Sequence, residues 1–494
     1  MNRIKQLAGQ TVIYGGGKIL SKLVYFLLIH VLLTYLLDGQ QEQFGVFGAF
    51  YAYAAVFIIL FSLRLDTALF RFGTDVEDRV IAFSTSLTAI VCSSLVLILI
   101  GVCAHEYIAQ WTVSPERPIY VRWFAFILAF DIISLIPYAR LRLDDKARAF
   151  AFFQILNVII ASFLIIFFLY LLPRLPNSIQ SIFPVYESII DYVFISNLIA
   201  SFLILFLLLI NVKGISFSID QQLLKKMFFY IGPLIIVGIA NSFIQYFAVP
   251  LQEAYLGGLS KENLSQGGIY ESSRRISNLF AMFTTAFNYA AEPFFFKNAS
   301  KEDRHLYYGK ICHFFILIGG LIILSMVVSL DLLQYLAGAS FRESIFVVPI
   351  LLVGYLFLGI YYNVSIWYKI SDNTKYGAII SCCGLFMFMV INIIFLPKYG
   401  YVTTAWATPM TYGLMVMIAF LLGQKLFPIN YPVQKILTNL IVIITLIVLL
   451  SLIKDLVSNV FYYIVGGITI LTYTVYMYLT EKDEWNQILK IKRT

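Results

Sequence analysis

The sequence predicts an all-α polytopic membrane protein with about fourteen transmembrane helices, and three observations predict it. Sixty per cent of the 494 residues are apolar and only 13% are charged, whereas about a quarter of the residues of a typical soluble protein are charged. The apolar residues occur in runs of about 20, which is the helix length that crosses a hydrocarbon core about 30 Å thick. Short polar segments separate these runs. Inside lipid each backbone amide must bond within its own segment, so the runs are predicted to be helices rather than barrel strands.

The predicted spans are 10–36, 43–65, 80–104, 119–139, 150–172, 192–212, 228–250, 267–291, 307–330, 345–368, 376–396, 402–423, 435–453 and 457–479. The first span follows a basic start and therefore resembles a signal peptide. It is too long for one, contains Lys18 and Lys22, and lacks a small-x-small cleavage site. We expect a retained helix.

The distribution of Lys and Arg predicts that both termini are cytoplasmic, because basic loops stay on the cytoplasmic side. In this orientation the cytoplasmic segments hold about 24 of the 35 basic residues, and the external loops hold about seven. The net charge of +8 then reflects loops that face anionic lipid, and no nucleic-acid partner is expected. All five cysteines fall inside predicted spans, so the sequence indicates no disulfide framework.

Three landmarks recur along the chain and predict an internal duplication. The recurring pairs are Gly45-Val46-Phe47 with Gly268-Ile269-Tyr270, Arg142-x-x-Asp145-x-x-Arg148 with Lys369-x-x-Asp372-x-x-Lys375, and Leu172-Pro173-Arg174 with Leu396-Pro397-Lys398, at offsets of 223, 227 and 224 residues. We therefore predict a six-helix bundle over 1–218, a second over 219–424, two further helices within 425–480, and a cytoplasmic tail over 481–494. Each bundle has an even number of helices, so both copies share one orientation and the transport path is expected between them.

Four basic residues lie inside predicted spans, where a cation costs roughly 2.5–3.5 kcal/mol on insertion scales. Lys18 and Lys22 share one face of the first span. Arg274 and Arg275, in the eighth span, lie at a depth comparable to that of Lys22. We predict a basic, water-filled cavity that holds a phosphate or pyrophosphate, because the planar guanidinium grips phosphate oxygens in pairs. The alternative is that Glu271, three and four residues before the arginines, forms a local ion pair with one of them, while Lys18 extends to the cytoplasmic surface.

Acidic and charged residues near the spans suggest coupling or gating roles. Asp131 lies near the middle of the fourth span and is a candidate to carry a coupling Na⁺ or H⁺ or to pair with a cation of the cavity. A structural hydrogen bond from a neighbouring helix is the alternative. Glu271 is a second candidate. Asp66 and Arg71 close the second span and Glu292 closes the eighth, so each is either a gating contact or an ordinary helix-end charge.

Catalytic and cofactor motifs are absent from the sequence. The four histidines have no zinc-ligand spacing, and no Ser-His-Asp set is visible. The longest external loop, about 173–191, is too short for a catalytic domain. We expect a protein that is not an enzyme and has no cofactor beyond a coupling ion.

Three soft hydrophobic stretches resemble one known family. These are Leu65-Asp66-Thr67-Ala68-Leu69-Phe70-Arg71-Phe72, the segment from Gly267-Gly268-Ile269-Tyr270 through Ala290-Ala291-Glu292-Pro293-Phe294-Phe295-Phe296, and Ile394-Phe395-Leu396-Pro397-Lys398-Tyr399-Gly400-Tyr401 followed by Ala405-Trp406-Ala407-Thr408. The chain is similar over its whole length to the polysaccharide-exporter and O-antigen flippases of the multidrug/oligosaccharidyl-lipid/polysaccharide superfamily.

The resemblance implies alternating-access translocation of a polyprenyl-pyrophosphate-linked oligosaccharide across the bacterial cytoplasmic (inner) membrane. It further implies basic residues in a central cavity, and contact with membrane lipids and with other polysaccharide-assembly membrane proteins. Two other readings remain. A cation-coupled multidrug antiporter of the same superfamily typically has twelve helices and an acidic cation site. A membrane glycosyltransferase or polymerase needs an acidic catalytic site at an external loop.

Overall fold

The structure, a computed structural model, describes residues 20–73, 76–144, 146–212, 216–255, 261–297, 304–371, 373–454 and 456–482. The secondary structure within these ranges is helical, with turns and loops between the helices and no strand. Their long helical segments are α1 (Leu20–Leu36), α2 (Gln41–Ser62), α3 (Val76–Cys103), α4 (Ile119–Leu143), α5 (Ala147–Arg174), α6 (Ile189–Asn211), α7 (Gln221–Tyr246), α8 (Lys261–Lys297), α9 (Arg304–Val328), α10 (Ala339–Ile370), α11 (Lys375–Tyr399), α12 (Tyr401–Leu426), α13 (Val433–Lys454) and α14 (Asn459–Thr480).

Within the described residues, twelve of these helices are long and apolar enough to cross a membrane by length and composition. The two others are α1 and α8. The described part of α1 is shorter than the rest, and its predicted start at residue 10 lies outside the described residues. α8 has 37 residues, well beyond the predicted 267–291, and it carries the charges discussed below. The architecture is that of a multi-pass membrane protein.

α2 ends earlier than the sequence predicts. The helix stops at Ser62, and the next two residues, Leu63 (φ 49°) and Arg64 (φ 53°), are left-handed. A left-handed conformation costs roughly 1–2 kcal/mol for a residue with a Cβ atom. The chain then forms a separate short helix, Leu65–Phe72. The two left-handed residues therefore break the predicted span and redirect the chain.

α7 also differs from its predicted limits of 228–250. It begins at Gln221, where the Asp220 side chain caps the Leu223 amide, and it ends at Tyr246. A short helix, Ala248–Tyr255, follows and packs against α8. Its last turns contain polar residues that the sequence analysis assigned to a loop.

Contacts between helix ends indicate that α9 and α13 run in the same direction and that α14 runs in the opposite one. The end of α13 meets the segment after α9 through Lys454 Nζ and Asp331 Oδ1, 2.6 Å apart. At the other end of the molecule, the residue after α14, Glu481, accepts from Lys435 Nζ at 2.7 Å and lies 3.1 Å from His313 Nε2. These two sets correspond to the predicted external and cytoplasmic ends respectively.

α8 lies at the centre of the fold, packed along α2 on one side and α10 on another. Where α2 and α8 begin, two glycines face each other. A methyl group on Gly45 would lie 2.2 Å from the Leu264 carbonyl oxygen, and one on Gly268 would lie 2.1 Å from the Gln41 carbonyl oxygen. No side chain fits at either position, so the two helices touch backbone to backbone and close the predicted external end.

Candidate functional site: the central cavity

A cavity of about 500 Å³ lies behind this contact, between α1, α2, α4, α7, α8 and α10. Its walls are largely aromatic and apolar. The charged residues among its described lining are Lys22, Asp131, Glu271, Arg274 and Arg275. The structure therefore brings together, around one cavity, four of the sequence-predicted substrate and coupling residues and the predicted ion-pair partner Glu271.

The two arginines share one carboxylate. Arg274 forms a bidentate pair with Glu271, with Nε–Oε2 and Nη2–Oε1 distances of 2.6 Å. Arg275 Nε donates to the same Oε1 at 2.8 Å. Glu271 is 2% exposed, and breaking a buried pair of this kind typically costs 3–5 kcal/mol. The local ion pair named as the alternative in the sequence analysis is present, and it engages both arginines rather than one.

Arg275 is the arginine with binding capacity left. A guanidinium has five N–H donors, and within the described residues only its Nε donor is used, by Glu271. Its Cζ atom lies 4.7 Å from the ring centroid of Phe47 and 5.6 Å from that of Phe44, so two aromatic faces hold the plane in place. The remaining N–H donors, which form the free edge of the guanidinium, can donate two hydrogen bonds to the oxygens of one anion.

Lys22 and Asp131 complete the charge balance. Lys22 lies on the first described turn of α1 and lines the cavity with an exposed side chain. Asp131, on α4, also lines it, with the Ser201 hydroxyl of α6 as a hydrogen-bonding neighbour. With both carboxyls ionised, three cations and two acids leave the described lining with one net positive charge. The cavity is basic, but only weakly so.

His30 is a cavity residue that the sequence analysis missed. It is fully buried, stacks on Phe26 with 4.8 Å between ring centroids, and has no hydrogen-bond partner for either ring nitrogen among the described residues. It lies in a π-helical turn, Phe26–Val31, within α1. Such turns are rare and frequently occur at functional sites. A single histidine in an apolar run has no partner residue at a recognisable spacing. Only the π-helical turn in the structure therefore indicates that His30 is a candidate functional residue.

The remaining predicted residues lie elsewhere. Lys18 and the Glu292 side chain lie outside the described residues. Asp66 and Arg71 are not among the described residues that line the central cavity. They sit on the short helix after α2 rather than closing α2 itself, and the Arg71 guanidinium carbon lies 4.8 Å from the ring centroid of Tyr230 on α7.

The fold is a polytopic bundle of α-helices around a charged central cavity, and comparison with solved structures specifies it further. The chain is similar to the lipid II flippase MurJ in an inward closed conformation, with a TM-score of 0.72 and 15% identity over 96% of this chain and 99% of that one. It is also similar to an inward-facing multidrug resistance MATE transporter of the MOP superfamily, with a TM-score of 0.65 and 13% identity over 82% and 94%. A third similar structure is the MATE multidrug transporter DinF-BH, with a TM-score of 0.61 and 14% identity over 85% and 95%.

No protein-family model and no curated protein sequence matches the chain. At these identities the likeness establishes the fold, which lipid flippases and multidrug transporters share. The described neighbours are transporters rather than enzymes.

Proposed function

We propose that this protein is a flippase that moves a polyprenyl-pyrophosphate-linked oligosaccharide across the bacterial cytoplasmic membrane, for cell-surface polysaccharide synthesis. The observation that carries the proposal is the free edge of Arg275 in a buried cavity. A guanidinium held between aromatic rings in a membrane cavity suits a phosphate or pyrophosphate, because its parallel N–H donors can bind two anionic oxygens at once. The flippase MurJ, whose fold the chain shares, acts on a lipid-linked substrate.

Alternating access of two bundles, related by an axis along the membrane normal, is the mechanism we propose. The contact between Gly45 and Gly268 supports this relation because it is reciprocal. A methyl on either glycine would strike the carbonyl oxygen of the residue four positions before the other glycine, Leu264 or Gln41. The two glycines are also equivalent positions in the predicted 223-residue repeat. A contact with this symmetry can part as the bundles rock.

The proposed orientation places both termini in the cytoplasm and the glycine contact at the external end. The cavity is then sealed from outside, and the substrate head group enters from the inner leaflet. Asp131 is the proposed site of the coupling Na⁺ or H⁺, because it lines the same cavity as the arginines and its charge is not paired with a cation in any ion pair among the described residues.

A cation-coupled multidrug antiporter is the second candidate. The aromatic walls of the cavity and the weak net charge favour it, since both suit planar organic cations. The similarity to MATE transporters points the same way. The basic pair on α8 favours the flippase, because a cationic drug would be repelled from Arg275.

The proposal is tested by depleting the protein in its host and measuring lipid-linked oligosaccharides by mass spectrometry. Complementation uses Arg275→Ala, which leaves the Arg274–Glu271 bidentate pair intact, with Arg275→Lys as the matched variant that retains charge but loses the fork. We expect a polyprenyl-pyrophosphate oligosaccharide to accumulate. Arg275→Ala should fail to clear it while inserting normally, and Arg275→Lys should clear it in part.

The mass of the accumulating species would identify the sugar. If nothing accumulates and sensitivity to cationic drugs rises instead, the protein is an exporter of the multidrug type. The proposal of an anion site at Arg275 would then be wrong.

A further inference from the structure

A second cavity, of about 390 Å³, lies toward the end of the molecule where α2, α8 and α10 finish. The described residues that line it are Arg64, Thr285, Asn288, Phe295, Tyr362, Ile366 and Lys369. We call it the lower cavity. In the proposed orientation it faces the cytoplasm.

The lower cavity adjoins the central cavity, because Thr285 and Tyr362 line both. On α8, Thr285 follows Arg275 by ten residues. At 1.5 Å per residue this is about 15 Å along the helix axis. The lower cavity therefore lies about 15 Å along α8 from Arg275, and the two cavities share part of their walls.

Arg64 is held in an unusual way at this cavity. Its left-handed backbone turns the chain at the end of α2, and its Nε atom is buried without a hydrogen-bond partner among the described residues. A methyl group on Gly238 would lie 3.6 Å from that Nε atom, so the guanidinium packs beside this position of α7. Buried donors are nearly always paired in folded proteins. An unpaired guanidinium nitrogen in a polar cavity therefore indicates a ligand with acceptor oxygens.

The chemistry of the remaining lining agrees with such a ligand. Lys369 brings a second cation from α10, and Asn288 brings an amide from α8. Among the described lining residues there is no carboxylate. The two cations come from different predicted bundles, Arg64 just after α2 in the first and Lys369 on α10 in the second, and both line the same cavity.

We infer that the lower cavity is a second anion site, which takes the pyrophosphate of the lipid-linked substrate before it reaches Arg275. This inference rests on the proposed function. A pyrophosphate that crossed about 15 Å of protein interior without a counter-charge would face a large desolvation penalty. The cations of the lower cavity and Arg275 of the central cavity would each neutralise the pyrophosphate, one before and one after this step.

The test measures binding of inorganic pyrophosphate to the purified full chain in lipid nanodiscs. It uses an Arg275→Ala background, in which the central site is weakened. Arg64→Asn then removes the charge but suits the left-handed backbone, because asparagine tolerates that conformation. Arg64→Lys keeps a charge, and Lys425→Asn removes an exposed cation outside both cavities.

In this background we expect residual binding that Arg64→Asn weakens about tenfold or more, the typical effect of losing a charge-assisted hydrogen bond. Lys425→Asn should have no effect, and Arg64→Lys a smaller one. Equal binding with and without Arg64→Asn would overturn the inference and leave the proposed function standing. Absence of pyrophosphate binding to the unmodified protein would overturn both.

A second arm replaces inorganic pyrophosphate with a short polyprenyl pyrophosphate in the nanodisc lipid. If the substrate is lipid-linked, we expect this lipid to compete with inorganic pyrophosphate, and we expect Arg64→Asn to weaken binding of the lipid as well. If only the soluble ion binds, the lower cavity serves a cytoplasmic anion and not the lipid head group, and the inference is wrong.

Discussion

The contact between Gly45 and Gly268 gives the most direct test of the external closure. In Gly45→Ala the new Cβ atom would lie 2.2 Å from the Leu264 carbonyl oxygen, whereas real Cβ contacts essentially never fall below 3.0 Å. The backbone of α8 must therefore retreat by at least 0.8 Å, the difference between these two distances. A carbonyl oxygen cannot rotate away as a flexible side chain can. The closed arrangement is destabilised, and the arrangement with separated helices is not.

Overpacking of this kind costs about 1–3 kcal/mol. Since about 1.4 kcal/mol is a factor of ten in an equilibrium constant, a cost of about 2 kcal/mol shifts the balance toward external opening roughly 30-fold. Gly268→Ala, with a predicted contact of 2.1 Å, should have an effect of the same size.

The assay is the rate at which a membrane-impermeant thiol reagent, added outside, labels Ala52→Cys in a background without the five native cysteines. Ala52 lines the central cavity and is 1% exposed. We expect labelling to accelerate 10-fold or more in Gly45→Ala. Gly467→Ala is the matched control, because a methyl group there meets nothing within 4 Å. An unchanged labelling rate in a normally inserted Gly45→Ala protein would refute the closure.

Three further predictions concern charged residues. Glu271→Gln leaves two buried guanidinium groups without a counter-charge, so we expect a loss of about 3–5 kcal/mol in the free energy of unfolding, partly restored by added pyrophosphate, as measured by thermal unfolding in detergent. Burial raises the pKa of Glu253, in the short helix after α7, from 4.5 to about 7. The folded state therefore holds this proton more tightly than the unfolded state. Stability should fall as the pH rises from 4.5 to 7, by at most about 3.5 kcal/mol at about 1.4 kcal/mol per pKa unit. In Glu253→Gln this pH dependence should disappear from unfolding curves. Asp131→Asn should abolish the dependence of transport on a Na⁺ or H⁺ gradient in proteoliposomes while pyrophosphate binding persists, and an unchanged gradient dependence would exclude Asp131 as the coupling site.

The apolar runs were sufficient to predict most of the helices, because lipid leaves the backbone of such a run no alternative to a helix. The limits were less predictable where polar residues are buried against protein. Gln252 and Glu253 read as loop residues, yet both are buried in the short helix that packs on α8. Hydropathy measures the preference for lipid, so it does not detect a polar side chain that is covered by other helices.

Within the site, contacts along one helix could be predicted from the sequence, and contacts between helices could not. The i, i+3 and i, i+4 spacing of Glu271 with Arg274 and Arg275 predicts their contact, because such residues are neighbours on a helix. The position of Arg275 over the rings of Phe44 and Phe47 could not be predicted, since it depends on how closely α2 approaches α8. The close approach of the two helices depends in turn on Gly45 and Gly268. A glycine has no side chain whose chemistry would indicate a helix contact in the sequence.

In the proposed flippase, the geometry of Glu271 would affect release of the substrate. Without this carboxylate, the cavity cations would hold a pyrophosphate through several charge-assisted hydrogen bonds, each worth about 1.5–3 kcal/mol, and release on the far side would be slow. Glu271 already occupies three arginine donors, two of Arg274 and one of Arg275. An anion bound at the free edge of Arg275 therefore shares that guanidinium with a carboxylate, whose negative charge weakens the attraction and makes release easier. A carrier must bind its cargo tightly enough to load it and weakly enough to let it go, and a shared carboxylate between two arginines meets both requirements.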